Sequence, residues 1–92
     1  MSAEDRILRL LYVAGRPVSG ADIHLITRVG PGRMYPALLR FERDGLVEMQ
    51  WGDGPKGGRA GMYRLTWKGQ MEALRRKADA VFVPAQPGAD NG

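Results

Sequence analysis

The chain has 92 residues, enough for one small domain and too few for separate cooperating ones. It contains no cysteine, which excludes a disulfide framework and a thiolate metal site and fits a reducing compartment. A formal net charge of +4 and a pI near 10.0 point to an anionic partner, because phosphate neutralisation by Lys and Arg is the main source of nucleic-acid affinity; a merely solvated surface charge is the alternative. No apolar run reaches the roughly 18 residues of a membrane span. The amino terminus, MSAEDRILRL, has acids where a secretory signal has bases, so a cytoplasmic location is expected.

From Glu4 to Ala14, the residues Ile7, Leu8, Leu10, Leu11 and Ala14 recur at helical steps and predict an amphipathic helix ended by Gly15 and Pro17. Ser19, with Asp22 three residues on, has the spacing of a capping-box-like start to a second helix, whose buried side would be Ile23 and Ile26 with Leu25 beside them. Val29, Gly30 and Pro31 supply a turn, and a third helix follows it. There Met34, Leu38 and Phe41 would share one face and Arg33, Ala37 and Arg40 the opposite one, with Arg43, Asp44 and Gly45 closing the helix. Leu46, Val47, Met49 and Trp51 read as a short strand. Gly52 to Gly61 read as a glycine-rich loop, and Met62 to Leu65 as a returning strand with Tyr63 and Leu65 on one side.

Thr66 is placed to cap a last helix, 66–82, in which Trp67, Met71, Leu74, Ala78 and Val81 or Phe82 recur near coiled-coil spacing. Lys68, Arg75, Arg76 and Lys77 would face solvent. The ending PAQPGADNG, 84–92, reads as a disordered tail. The expected fold is mainly α with a two-stranded β wing, an α+β winged helix-turn-helix over residues 1–83.

An enzyme is not expected. His24 is the only histidine and reads as a surface or half-buried residue, no glycine-rich phosphate loop runs into Lys-Ser or Lys-Thr, and no carboxylates cluster at ligand spacing. No catalytic residue, metal or cofactor is therefore assigned. For double-stranded DNA the roles are concrete. Arg33, Pro36, Ala37 and Arg40 would enter the major groove, Tyr35 would offer its hydroxyl to a phosphate, and Lys56 and Arg59 at the loop tip would reach phosphate or the minor groove. Arg33 is the first candidate for base readout, as a bidentate partner of guanine, with a backbone contact as the alternative.

The segment GRMYPALLRFERDGLVEMQW, followed by GGRAGMYRLTWKG, resembles the PadR family of bacterial transcriptional regulators. The matching positions are Gly32 to Pro36, then Leu38, Phe41, Glu42 and Gly45, then Arg59, Tyr63, Arg64, Leu65, Thr66, Lys68 and Gly69. Ser19, Gly20 and Ala21 depart from the Gly-Tyr pair that often opens the second helix in relatives, and Gly61 stands where relatives tend to have a further wing cation. The short carboxyl-terminal part resembles the small subclass with a single terminal helix. The resemblance implies a bacterial sequence-specific DNA-binding regulator, with Arg64 joining the DNA-binding set; together with the short half-site a single winged helix can read and the small size of the chain, the expectation is a repressor, bacterial or phage, acting as a homodimer on a palindromic operator. The stripe of Trp67, Met71, Leu74, Ala78 and Phe82 is the expected dimer interface, met by the partner's Leu8 and Leu11, with a monomer that tucks Phe82 against its own first helix as the alternative. In some relatives an apolar dimer cleft admits planar aromatic ligands; Trp51 and Trp67 are candidates to line one, with packing in a small core as the alternative. A competing function is a winged-helix protein-interaction module without specific DNA binding.

Overall fold

In a computed structural model of the chain, residues 1–82 are described, with side chains through Lys77; the expected tail at 84–92 lies outside them. The element order is α1 (Ala3–Ala14), β1 (Val18–Ser19), α2 (Gly20–Thr27), α3 (Pro31–Arg43), β2 (Val47–Asp53), β3 (Arg59–Leu65) and α4 (Trp67–Phe82). Helix α1 starts one residue earlier than its apolar pattern suggests, because Ser2 caps it: the Asp5 N–H donates to Ser2 Oγ at 3.0 Å. Glu4 and Asp5 then lie in the first turn, where negative charge suits the helix dipole.

The sheet has three strands rather than two, in the antiparallel order β1-β3-β2. The added strand sets Val18 opposite Tyr63 and Ser19 opposite Met62. A two-residue strand that follows a proline and ends on the helix cap itself is too short to show a strand's alternation. Ser19 does two jobs, since its Oγ also accepts the Asp22 N–H at 3.1 Å and caps α2.

Helix α2 overturns an expectation. Gly20, Ile23 and Thr27 are its buried row, whereas Leu25 and Ile26 are 68% and 62% exposed. With only eight residues, α2 buries one narrow row, and Leu25 and Ile26 fall outside it. Thr27 is satisfied locally, donating to the Ile23 carbonyl at 2.6 Å and accepting the Val29 N–H at 3.2 Å. Val29 is buried, so the turn into α3 is anchored in the core.

Helix α3 begins with Gly30 as cap and Pro31 as first residue, where a missing N–H leaves nothing unpaired. It ends in a Schellman motif: the Leu46 N–H donates to the Phe41 carbonyl at 2.8 Å and the Gly45 N–H to the Glu42 carbonyl at 3.0 Å. Gly45 has φ 75°, a value that favours glycine. Phe41 and Leu46 both reach the core, which joins Ile7, Leu8 and Leu11 of α1, Ile23, Met34, Ala37 and Leu38 of the helix-turn-helix, and Val18, Val47 and Leu65 of the sheet.

Half of the expected loop from Gly52 to Gly61 is paired. The β2–β3 ladder runs from Val47↔Leu65 out to Gly52↔Ala60 and Asp53↔Arg59, leaving Gly54 to Gly58 as the tip. Thr66 then caps α4 as its spacing predicts, accepting the Gly69 N–H at 3.0 Å and donating its hydroxyl to the Gly45 carbonyl at 2.6 Å. Gly69 and Ala73 face the core. Among the described residues no helix is long and apolar enough to cross a membrane.

Candidate nucleic-acid interface

At 3.6 residues per turn, the buried side chains of α3, Met34, Ala37, Leu38 and Phe41, define one face. The opposite row, spaced i, i+4, i+7 and i+11, is Gly32, Pro36, Leu39 and Arg43, and all four are exposed. One residue of the set expected to face away from the core does not do so. Ala37 is only 2% exposed and packs with the core, since it lies a short arc from Met34 rather than opposite it. Arg33 and Arg40 are exposed but flank the outward row on the side of α1, where they share a shallow hollow with Ser2 and Glu4. Arg40 Nη2 is ion-paired with Glu4 Oε2. Leu39, 56% exposed, and Arg43 are the central residues that sequence reasoning passed over; counting the helical angle from Met34 and Phe41 would have found both.

The other edge of α3 faces the sheet. The Tyr35 hydroxyl lies over the Gly20 backbone, so close that a Cβ on Gly20 would sit 2.6 Å from it. Burial pushes the Tyr63 phenol up, and the neighbouring Tyr35 and Glu42 push it further, which keeps Tyr63 a neutral hydrogen-bonding group. Strand alternation puts Arg59 and Gly61 on the same ribbon face as Tyr63, so the wing's Arg59 side continues the surface that Tyr35 begins. Lys56 is exposed at the tip. Arg64 points to the other ribbon face, and its Nε is bonded to Glu48 Oε2 at 2.9 Å, so it is separated from the α3 surface and its charge is already partnered.

The expected dimer residues divide. Trp67, at 75% exposed, Met71 and Leu74 are open to solvent, on the side of α4 away from Gly69 and Ala73. Leu8 and Leu11 are enclosed by their own chain at 1% and 2%, so they have no surface to offer a partner. Ala78 and Phe82 have side chains outside those described. Arg76, expected in solvent, instead bridges α4 to α1: its Nη1 is 2.8 Å from Asp5 Oδ1 and its Nε 2.7 Å from Glu72 Oε2. Trp51 and Trp67 are both exposed, so neither belongs to the core. They are also apart: Trp67 shares a hollow with Tyr12, Arg16 and Arg64 that does not include Trp51.

His24 is exposed, and its Nδ1 lies 2.8 Å from the Val29 carbonyl, which can only accept, so that nitrogen carries the proton. Among the described residues no group of three or more His, Asp or Glu side chains could hold a metal ion.

The family model described as "Transcriptional regulator PadR-like family" matches residues 20–75. The chain belongs to that family. The matched span runs from the start of α2 through the first turns of α4 and includes the whole α3 and wing surface. Among solved PadR-like structures, a transcription factor from Bacteroides fragilis shares 25% identity, with a TM-score of 0.78 and coverage of 94% of this chain and 86% of that one. A PadR family regulator from Clostridium difficile shares 23% identity, with a TM-score of 0.82 and 98% coverage of both chains. Bacillus subtilis PadR, solved in complex with operator DNA, shares 22% identity with a TM-score of 0.66, over 78% of this chain and 44% of that one. No curated protein sequence matches the chain. The three-stranded winged helix of this PadR-like chain is thus a fold it shares with transcriptional regulators.

Proposed function

We propose that this PadR-like protein is a sequence-specific double-stranded DNA-binding transcriptional repressor that acts as a homodimer on a palindromic operator. The observation that carries the reading is the outward row of α3, ending in Arg43 and flanked by Arg33 and Arg40, with two further exposed cations on the wing, Arg59 on the ribbon face of Tyr63 and Lys56 at the tip. Arg33, Arg43, Lys56 and Arg59 make no ion pair with a described carboxylate, so their charge is available to phosphate. An operator complex of a relative with the same fold supports the assignment. The sense of regulation, repression, follows the family resemblance.

The dimer rests on α4. Trp67, Met71 and Leu74 form an apolar strip that the chain's own core does not cover, and a second copy related by a two-fold axis would bury it. Two α3 helices held this way would address half-sites about one helical turn of DNA apart. Fluorescence anisotropy with labelled duplexes tests the DNA reading: affinity is expected to fall steeply between about 50 and 200 mM salt, and Arg43→Ala to cost about 1–3 kcal/mol on a selected operator. Binding that ignores salt, or an Arg43→Ala variant as tight as the parent, overturns the interface assignment.

A further inference from the structure

Most of the recognition row is not polar. Of its four positions, Gly32 has no side chain, Pro36 and Leu39 offer only carbon, and Arg43 alone, at the last turn, can donate hydrogen bonds. Arg40, which flanks the row, is held by Glu4 at the α1 edge. Leu39 gains nothing in the folded chain from being there. It projects from the face opposite the core and is 56% exposed, so most of its apolar surface is left for a partner to cover.

In the major groove one base carries an apolar group at its edge: thymine, through its C5 methyl, whereas every other reading position is a donor or an acceptor. We infer that the centre of α3 reads thymine, with Leu39, supported by Pro36 one turn towards the helix start, packing on the C5 methyl of one or two adjacent thymines. The inference rests on the DNA-binding reading above and deepens it by naming the base. Placing Leu39 against a polar base edge would leave that edge's donor or acceptor without water or partner, so the same side chain that favours thymine rejects cytosine and guanine. Arg43, one turn further on, is left to bond guanine or phosphate beside the thymine.

The test needs no known operator. Duplexes enriched by the full-length protein from a library with a randomised core supply the sites, and thymines in them are replaced one at a time by deoxyuridine, which removes only the methyl. At the positions read by Leu39, deoxyuridine is expected to weaken binding about fourfold, the weight of one buried methyl-sized group. With Leu39→Ala, that difference between thymine and deoxyuridine should disappear. Because Leu39 lies outside the core, the variant should keep the parent's thermal unfolding midpoint. Enriched sites lacking thymine, deoxyuridine bound as tightly as thymine throughout, or a Leu39→Ala variant that still distinguishes the two, each overturns the inference while DNA binding stands. A protein that enriches nothing and binds no duplex overturns the DNA reading and this inference together.

Discussion

Gly69→Ala is expected to destabilise the protein although alanine is the better helix former. Gly69 sits in the first turn of α4, and a Cβ added there would lie 1.9 Å from the Leu46 carbonyl oxygen and 2.9 Å from its carbon. Both are backbone atoms, fixed by the Schellman motif that ends α3, so α4 must retreat until the gap reaches an ordinary contact of at least 3.4 Å. Such a retreat strains three bonds across the junction: Thr66 N–H to the Leu46 carbonyl at 2.9 Å, the Thr66 hydroxyl to the Gly45 carbonyl at 2.6 Å, and Lys68 Nζ to the Asp44 carbonyl at 3.1 Å. At about 1 kcal/mol each, their loss costs about 3 kcal/mol. The propensity gain of alanine over glycine returns about 1 kcal/mol. The net, about 2 kcal/mol, should lower the thermal midpoint of a domain this size by about 8–16 °C. Urea titration and thermal melts followed by circular dichroism read it directly. An Ala variant as stable as the parent, or more so, would show that the junction yields freely and that the close approach carries no constraint.

Replacing Lys56 and Arg59 together with Ala should weaken binding about equally on selected and random DNA and reduce the salt slope, because phosphate contacts carry no sequence information; an unchanged slope would leave the wing tip without a DNA role. Leu74→Glu is expected to turn a homodimer into a monomer in analytical ultracentrifugation at micromolar concentration, and a parent that sediments only as a monomer refutes the α4 interface. Hydrogen bonds from Arg75 and then Arg76 hold the Glu72 carboxyl down at about 2 from its ordinary 4.5. Its contribution is therefore complete above pH 4.5 and lost as pH falls through 2; with a partly exposed side chain it stays below about 1 kcal/mol. Urea midpoints of Glu72→Gln should fall below the parent's at neutral pH and converge with them near pH 2; a constant gap would place the stabilisation elsewhere.

The parts of this fold written in local chemistry were legible. Ser19, Pro31, Gly45 and Thr66 each sit where their capping role predicts, because a cap is settled by one side chain and its immediate neighbours. What depends on distant partners was not. Val18 is a strand residue only because Tyr63 comes alongside it, and the glycines at 52 and 61 lie within a paired ribbon because the partner strand extends equally far. Leu8 and Leu11 read as spare apolar surface until the rest of the core closes over them. Of the candidate site, the helix and the ribbon were legible as elements, but the outward face of the helix was read roughly a quarter of a circle away, since Arg33 and Arg40 drew attention by charge and Leu39 did not. Ala37 shows why: a small residue fits either a groove or a core, and only the packed neighbours decide which.

Adjacent residues at the start of α1 hold different helices: Glu4 takes Arg40 of α3 and Asp5 takes Arg76 of α4. The first turn of α1 is therefore a strut between the helix that would face DNA and the helix that would face a second copy, and neither can swing without pulling on it. It is a soft strut, made of partly exposed ion pairs that added salt loosens. Any phosphate that Arg40 meets must compete with Glu4, so that contact is an exchange of one anion for another and adds less to affinity than its position suggests. Freeing Arg40 would also let go of the α3 end of the strut, leaving the first turn of α1 ion-paired to α4 alone while its apolar face stays in the core.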